Sequence, residues 1–264
     1  MVALLNILAI NKPPEGFHAP GTEIFKTACV FGSGDNCFNR VSMLMVLAGL
    51  IVIALFLVAF RKPQIVPHGL QNGMEAIVDF IRNSIVMEVM GPAGLPWVPF
   101  LTAMFMFILV NNIFEVLPFI NFPTTSRMAI PLFLAVLVWF LFNIAGIRAQ
   151  GAKYFREVLF PPGVPAALYI LVTPIEFVST FLVRPLTLSV RLAANMIAGH
   201  LILTIFFLGT TYLALKPSTI PFAIPSFLLS VFLLGFEVLV SVLQAYIFTI
   251  LTAVYVGGAI HPEH

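Results

Sequence analysis

The stretch Arg184-Pro185-Leu186-Thr187-Leu188-Ser189-Val190-Arg191-Leu192-Ala193-Ala194-Asn195-Met196-Ile197-Ala198-Gly199-His200 sets two arginines and a histidine inside one of the most apolar parts of the chain. A charged side chain at bilayer depth costs from about 3 to more than 10 kcal/mol, so it is rarely found there without a use. Arg191 is the residue to explain. A guanidinium, with a pKa above about 12, stays cationic where a lysine discharges, so this position offers a permanent positive charge in lipid.

From Val158 to Ile260 apolar residues run far beyond one span, broken by isolated ionisable groups: Glu176, Arg184, Arg191, His200, Lys216 and Glu237. Only Lys216-Pro217-Ser218-Thr219-Ile220-Pro221 has the composition of a turn. Two helical elements of roughly forty or more residues joined by one hairpin are therefore expected. At about 1.5 Å per residue each is too long to cross a roughly 30 Å core upright, so each must tilt steeply, bend at Pro174 or Pro185, or split in two.

Upstream the segments are shorter. Val41 to Phe60 carries no charge and is long enough to span. Arg61-Lys62-Pro63 ends it, and the positive-inside bias places that end in the cytoplasm and the N-terminus outside. Gly69 to Met90 mixes Glu75, Asp79, Arg82 and Glu88 with Ile77, Val78, Ile81, Ile85 and Val86 at helical spacing. Too polar to span, it reads as an interfacial amphipathic helix or as a surface helix packed on protein. Pro96 to Pro118 and Met128 to Ile147, the latter with Asn143 as its polar residue, are the next spans; Arg148, Lys153 and Arg156 mark another cytoplasmic loop. Asn111 and Glu115 share one face near the far end of the second span, either as a polar mouth at the outer surface or as a helix end reaching the headgroups.

The expected fold is an all-α polytopic membrane protein: five membrane-embedded helices plus one interfacial amphipathic helix, the last two long and steeply tilted as a hairpin. Composition agrees, with 60% hydrophobic residues, 9% charged residues and a mean hydropathy of +1.06. A net charge of +2 gives no reason to expect nucleic acid as a partner. Met1 to Ile10 lacks the basic start and cleavage site of a signal peptide, so insertion is expected to rely on the first spanning helix. Residues 1–40 read as an extramembrane segment in which Cys29 and Cys37 are a candidate disulfide, 41–157 as three spans plus the amphipathic helix, and 158–264 as the hairpin. An odd number of crossings puts the C-terminus in the cytoplasm.

At about 100° per residue Glu176, Thr180, Arg184, Thr187, Arg191 and Asn195 fall within an arc of roughly 100°. His200 projects from the opposite side, about 13 Å further along than Arg191. On the last helix Ser226, Ser230, Glu237, Ser241, Gln244 and Tyr255 form a second stripe about 40° wide. Acids, a histidine and amides along apolar helices suit a proton path, because they exchange protons near neutral pH and hold water. A fixed cation between them would stabilise an ionised carboxylate on a partner and oppose direct proton crossing. The alternatives are buried ion pairs: Arg191 with Glu176 or Glu237, and His200 with Glu237.

The Arg184–His200 stretch, together with Leu243-Gln244-Ala245-Tyr246-Ile247-Phe248-Thr249-Ile250-Leu251-Thr252-Ala253-Val254-Tyr255 and Asn111-Asn112-Ile113-Phe114-Glu115-Val116-Leu117-Pro118, resembles subunit a of the F-type ATP synthase, the proton-channel stator of its membrane sector. The resemblance implies that Arg191 faces the carboxylate of each passing c-ring subunit and separates two offset aqueous half-channels. It implies channel-lining or supporting roles for Asn195, His200, Glu237, Gln244, Asn111 and Glu115, with Glu176 in the cytoplasmic half; Ser241 and Tyr255 join the path by their place on the stripe of the last helix, and Arg184, followed by Pro185, reads as a supporting charge near a helix bend. The implied partners are the c-ring subunits through the Arg191 helix, peripheral-stalk b subunits, the lipid bilayer of a bacterial plasma membrane, and protons. Proton flow would drive ring rotation, with ATP made on other subunits; no cofactor, metal or nucleotide site is implied here, and the chain has no P-loop. H⁺ is expected over Na⁺ because no oxygen-rich ligand cluster is visible.

Two features depart from the family pattern. Leu192-Ala193-Ala194-Asn195 stands where bacterial members have Leu-Phe-Gly-Asn, and His200 and Glu237 exchange an acid and a histidine found the other way round in some of them. The alternative from another class is a secondary transporter or proton antiporter with Arg191 and Glu237 as its coupling site. Such folds usually carry internal repeats, and no convincing one is present.

Overall fold

The computed structural model describes residues 29–31, 38–117, 120, 124, 127–151, 153–160, 168–215 and 218–260. Among the described residues five helices are long and apolar enough to cross a membrane: α1 (Arg40–Ala59), α3 (Gly91–Val116), α4 (Ala129–Gln150), α6 (Tyr169–Leu215) and α7 (Ile220–Ile260). The all-α polytopic architecture read from composition and run lengths is what is observed. A two-stranded antiparallel pair, β1 (Cys29–Phe31) with β2 (Phe38–Asn39), precedes α1. Cys37 lies outside the described residues, and so does the candidate disulfide.

α1 is apolar on every side. It turns Leu44, Ala48 and Val52 inward while Leu50, Ile53, Leu57 and Val58 stay exposed, as suits a helix at the lipid boundary. Arg40 fixes its start by donating from Nη2 to the carbonyl of Ile120 at 2.7 Å. The amphipathic segment forms α2, an α-helix over Leu70–Ile81 that continues through a π turn at Arg82–Val86 to Met87–Val89. Ile81, Ile85 and Val86 are fully buried, in the same core as residues of α3 and α7. That apolar face is therefore covered by protein rather than by lipid.

Each long element is one helix. α6 neither splits nor breaks at Pro174 or Pro185; it passes through a π turn at Ser179–Val183, between the two prolines. The amide of Arg184 reaches back to the carbonyl of Ser179, one residue further than in an α-helix. A helical projection at 100° per residue misses this. The extra residue shifts everything before it by about 100° relative to everything after, bringing Glu176 to within about 20° of Arg184 instead of about 80°. The turn to α7 is held by Thr219 Oγ1 donating to the Leu213 carbonyl at 2.8 Å, and the hydroxyls of Thr210 and Ser226 bond across the hairpin at 2.7 Å.

α7 is the central packing element, lying against α6, α3 and α4. Ala245, Ala253, Val256, Gly257 and Ala259 are buried, and such small residues let membrane helices approach closely. Between α4 and α6 the short helix α5 (Lys153–Leu159) turns the Tyr154 ring onto Gly146, leaving no room there for a Cβ.

Candidate functional site

The polar residues collect in two places. The first is where the C-terminal end of α3 meets the middle of the hairpin. Asn111, Asn112 and Glu115 are buried within protein, so the polar end of the second span is not simply a helix reaching the headgroups. Asn112 Nδ2 donates to the Ser241 carbonyl at 3.2 Å and ties α3 to α7. Asn111 donates to the Phe107 carbonyl at 2.8 Å, and its Oδ1 accepts from Thr124 at 3.1 Å.

Glu115 Oε1 lies 3.6 Å from His200 Nδ1, and the Glu237 carboxylate is close enough to Glu115 for their charges to interact. Glu237 itself rests against the α6 backbone at Gly199, in space that a Cβ there would fill. His200 thus faces Glu115 across the α3–α6 interface, rather than forming a closed ion pair with Glu237. Both Glu115 oxygens, Glu237 Oε1 and Ser241 Oγ are buried without a hydrogen-bond partner among the described residues. Each such atom costs about 1–3 kcal/mol unless water or a proton satisfies it, so the cluster suits water and proton exchange. Gln244, also buried, follows Ser241 by one turn.

The second place is a cavity of about 360 Å³ lined by Glu176, Thr180 and Arg184 of α6, by Tyr255 of α7, and by Gln150 and Tyr154. Arg184 Cζ sits 5.4 Å above the centre of the Tyr255 ring. Tyr154 donates its hydroxyl to Asn143 Oδ1 at 3.3 Å, and Asn143 donates to the Trp139 carbonyl at 2.7 Å. Burial pushes the Tyr154 phenol above its ordinary value, while the nearby Arg184 guanidinium partly offsets the rise. Gln150 Oε1 and Thr180 Oγ1 are buried without a hydrogen-bond partner among the described residues. Sequence reasoning missed Gln150 and Tyr154 as site residues, because one is a helix end and the other lies among the charges of a presumed loop.

Arg191 lies between the two. The antiparallel hairpin sets Gly199 against Glu237 and Arg184 against Tyr255, so Arg191 falls at the depth of the stretch from Ala245 to Phe248, with Gln244 about one turn or less away. Along α6 Arg191 is about 10 Å from Arg184 and about 13 Å from His200. It is exposed, on an uncovered face with Leu186, Thr187, Val190, Ala194 and Ala198, while Asn195 is half-buried. Leu188, Leu192, Met196 and His200 take the covered face, so Arg191 and His200 point to opposite sides as their spacing predicts. Neither Glu176 nor Glu237 comes within 4 Å of Arg191 as an ion pair, so the buried-pair alternative is not observed among the described residues.

Residues 42–257 match the family described as ATP synthase A chain. The chain belongs to the ATP synthase subunit a family. It is 47% identical over 252 residues to the ATP synthase subunit a of Parafrankia sp. (strain EAN1pec), covering 93% of this chain and 85% of that protein. The Frankia alni subunit a is 44% identical over 257 residues, 95% of this chain and 89% of its own length, and the Rhodococcus erythropolis protein 38% identical over 252 residues, 94% and 92%. As a subunit a, the chain is a multi-pass bacterial membrane protein of the F-type ATP synthase membrane sector, engaged in ATP synthesis and proton transport. The secondary-transporter alternative is set aside by this membership.

Proposed function

We propose that this subunit a carries protons through two offset half-channels, separated by Arg191, to and from the carboxylate of each passing c-ring subunit. The observation that carries the reading is an exposed Arg191 with no ion-pair partner among the described residues, on the uncovered face of α6 and between two buried polar clusters. In the outer half Asn111, Glu115, His200, Glu237 and Ser241 relay protons toward the ring, with Asn195 and Gln244 at the hand-off. In the cytoplasmic half the cavity lined by Glu176, Arg184 and Tyr255 takes them away.

Arg191 acts electrostatically. Its cation lowers the cost of an ionised ring carboxylate at membrane depth, so the carboxylate can discharge on one side before reloading on the other. The same charge repels a proton attempting to pass directly between the halves. The face around it, with Ala194 and Ala198, is narrow enough for close approach of a ring helix. The orientation that goes with this reading has the start of α1 outside and the end of α7 in the cytoplasm, consistent with Arg61, Lys62, Arg148, Lys153 and Arg156 at cytoplasmic ends. The c-ring docks on the Arg191 face, peripheral-stalk b subunits pack elsewhere on the helices, and H⁺ is the ion carried.

The test is Arg191→Ala in membrane vesicles carrying the assembled complex. Proton-driven ATP synthesis should disappear while assembly persists, and passive proton leak should rise. Synthesis near the wild-type level would make Arg191 structural and remove the separator from the mechanism.

A further inference from the structure

We infer that Tyr255 is a positioning residue for Arg184, holding its guanidinium away from Glu176 so that the cytoplasmic cavity keeps an uncommitted carboxylate. The inference rests on the half-channel reading of that cavity and assigns one of its residues a specific task. Glu176 and Arg184 have opposite charges, line one cavity of about 360 Å³, and lie on nearly the same face of α6 because the π turn between them brings them into line. Opposite charges inside a membrane protein normally pair with one another. Here they form no ion pair within 4 Å.

What the guanidinium has instead is the Tyr255 ring, 5.4 Å from Cζ and within the range of a cation–π contact. That ring is anchored in turn, packed against Phe142 with centroids 6.0 Å apart. Among the described residues the remaining wall offers no competing anion: the Tyr154 hydroxyl is occupied by Asn143, and its ring is fixed on Gly146. Arg184 is thus attracted to an uncharged surface on α7. Glu176 is left to bind water and a proton, alongside the unsatisfied Gln150 Oε1 and Thr180 Oγ1. Without the ring, the flexible arginine would swing onto Glu176 and close the cavity with a fixed pair.

The test compares Tyr255→Phe with Tyr255→Leu in the intact ATP synthase. Phenylalanine keeps the π face and leucine does not, while both lose the hydroxyl, so ATP-driven proton pumping should be about fivefold or more faster with phenylalanine than with leucine. If the leucine variant fails to assemble, Tyr255→Met carries the same comparison. A cryo-EM structure of the aliphatic variant should show the Arg184 guanidinium within ion-pair distance of Glu176. Equal pumping by the phenylalanine and aliphatic variants, or an Arg184 that has not moved, overturns the inference. Gln150→Cys separates this from the underlying reading: a water-soluble maleimide applied to the cytoplasmic face should label it. Labelling together with indifferent Tyr255 variants removes only the positioning role, while no labelling removes the cytoplasmic half-channel itself and the inference with it.

Discussion

The Glu237 carboxylate occupies the space beside Gly199 that any other residue's Cβ would fill. The α6–α7 crossing at this level is thus built around a missing side chain, and the acid is set by backbone rather than by a hydrogen bond. Gly199→Ala should gain up to about 1 kcal/mol of helix propensity and still impair the subunit, because the new methyl group displaces Glu237. We expect proton-driven ATP synthesis to fall about tenfold in vesicles with the amount of assembled complex unchanged, a barrier change of about 1.4 kcal/mol. Wild-type synthesis would show that Glu237 needs no fixed seat.

Glu115 and His200 meet at 3.6 Å between helices far apart in the chain. Glu115→Gln keeps the shape and removes the exchangeable acid. Passive proton conduction through the membrane sector, measured after stripping the catalytic head, should drop about 100-fold, the lower end of the range by which positioned acid–base groups matter. Unchanged conduction would leave Glu115 a packing residue.

Asn112 was visible in the sequence only as the neighbour of Asn111, yet it bridges α3 to the Ser241 carbonyl at 3.2 Å. Asn112→Ala should weaken that interface by about 0.6–1 kcal/mol, the usual scale for interhelical hydrogen bonds in membranes. The loss should appear as a lower thermal midpoint for subunit a release from detergent-solubilised complex, with proton conduction only mildly reduced.

Tyr154 gives a pH prediction outside the spans. Burial raises its phenol above the ordinary value of about 10, so folding favours the neutral form. The associated stability is fully present below pH of about 10 and is lost as pH rises through the folded value, because only the unfolded chain then ionises freely. Subunit a should therefore become steadily less stable in alkaline solution from about pH 10 upward, and Tyr154→Phe should flatten that slope while costing about 1 kcal/mol at neutral pH from the lost Asn143 bond. An unchanged alkaline slope in the variant would assign the loss to other groups.

The spans, the two long helices α6 and α7 and the inward stripe of α7 were legible in the sequence, because each depends on the spacing of near neighbours. Ser230, Glu237, Ser241 and Gln244 are all buried on one face, as a regular period requires. The opposition of Arg191 and His200 is equally local. The same arithmetic went astray at Glu176, where one extra residue in a π turn changes the phase without leaving a mark in composition.

By itself, then, the sequence determined how many helices cross the membrane, which faces are polar, and that a permanent cation stands among them. These are one-dimensional facts, set by chain length and by the cost of polar groups in lipid. Only the tertiary structure decided that His200 meets Glu115, that Glu237 sits on Gly199, and that Gln150 and Tyr154 close a cavity around Arg184. Those pairings arise from packing between helices distant in the chain, where a missing Cβ or a single-residue bulge selects the partner and no local period records the choice.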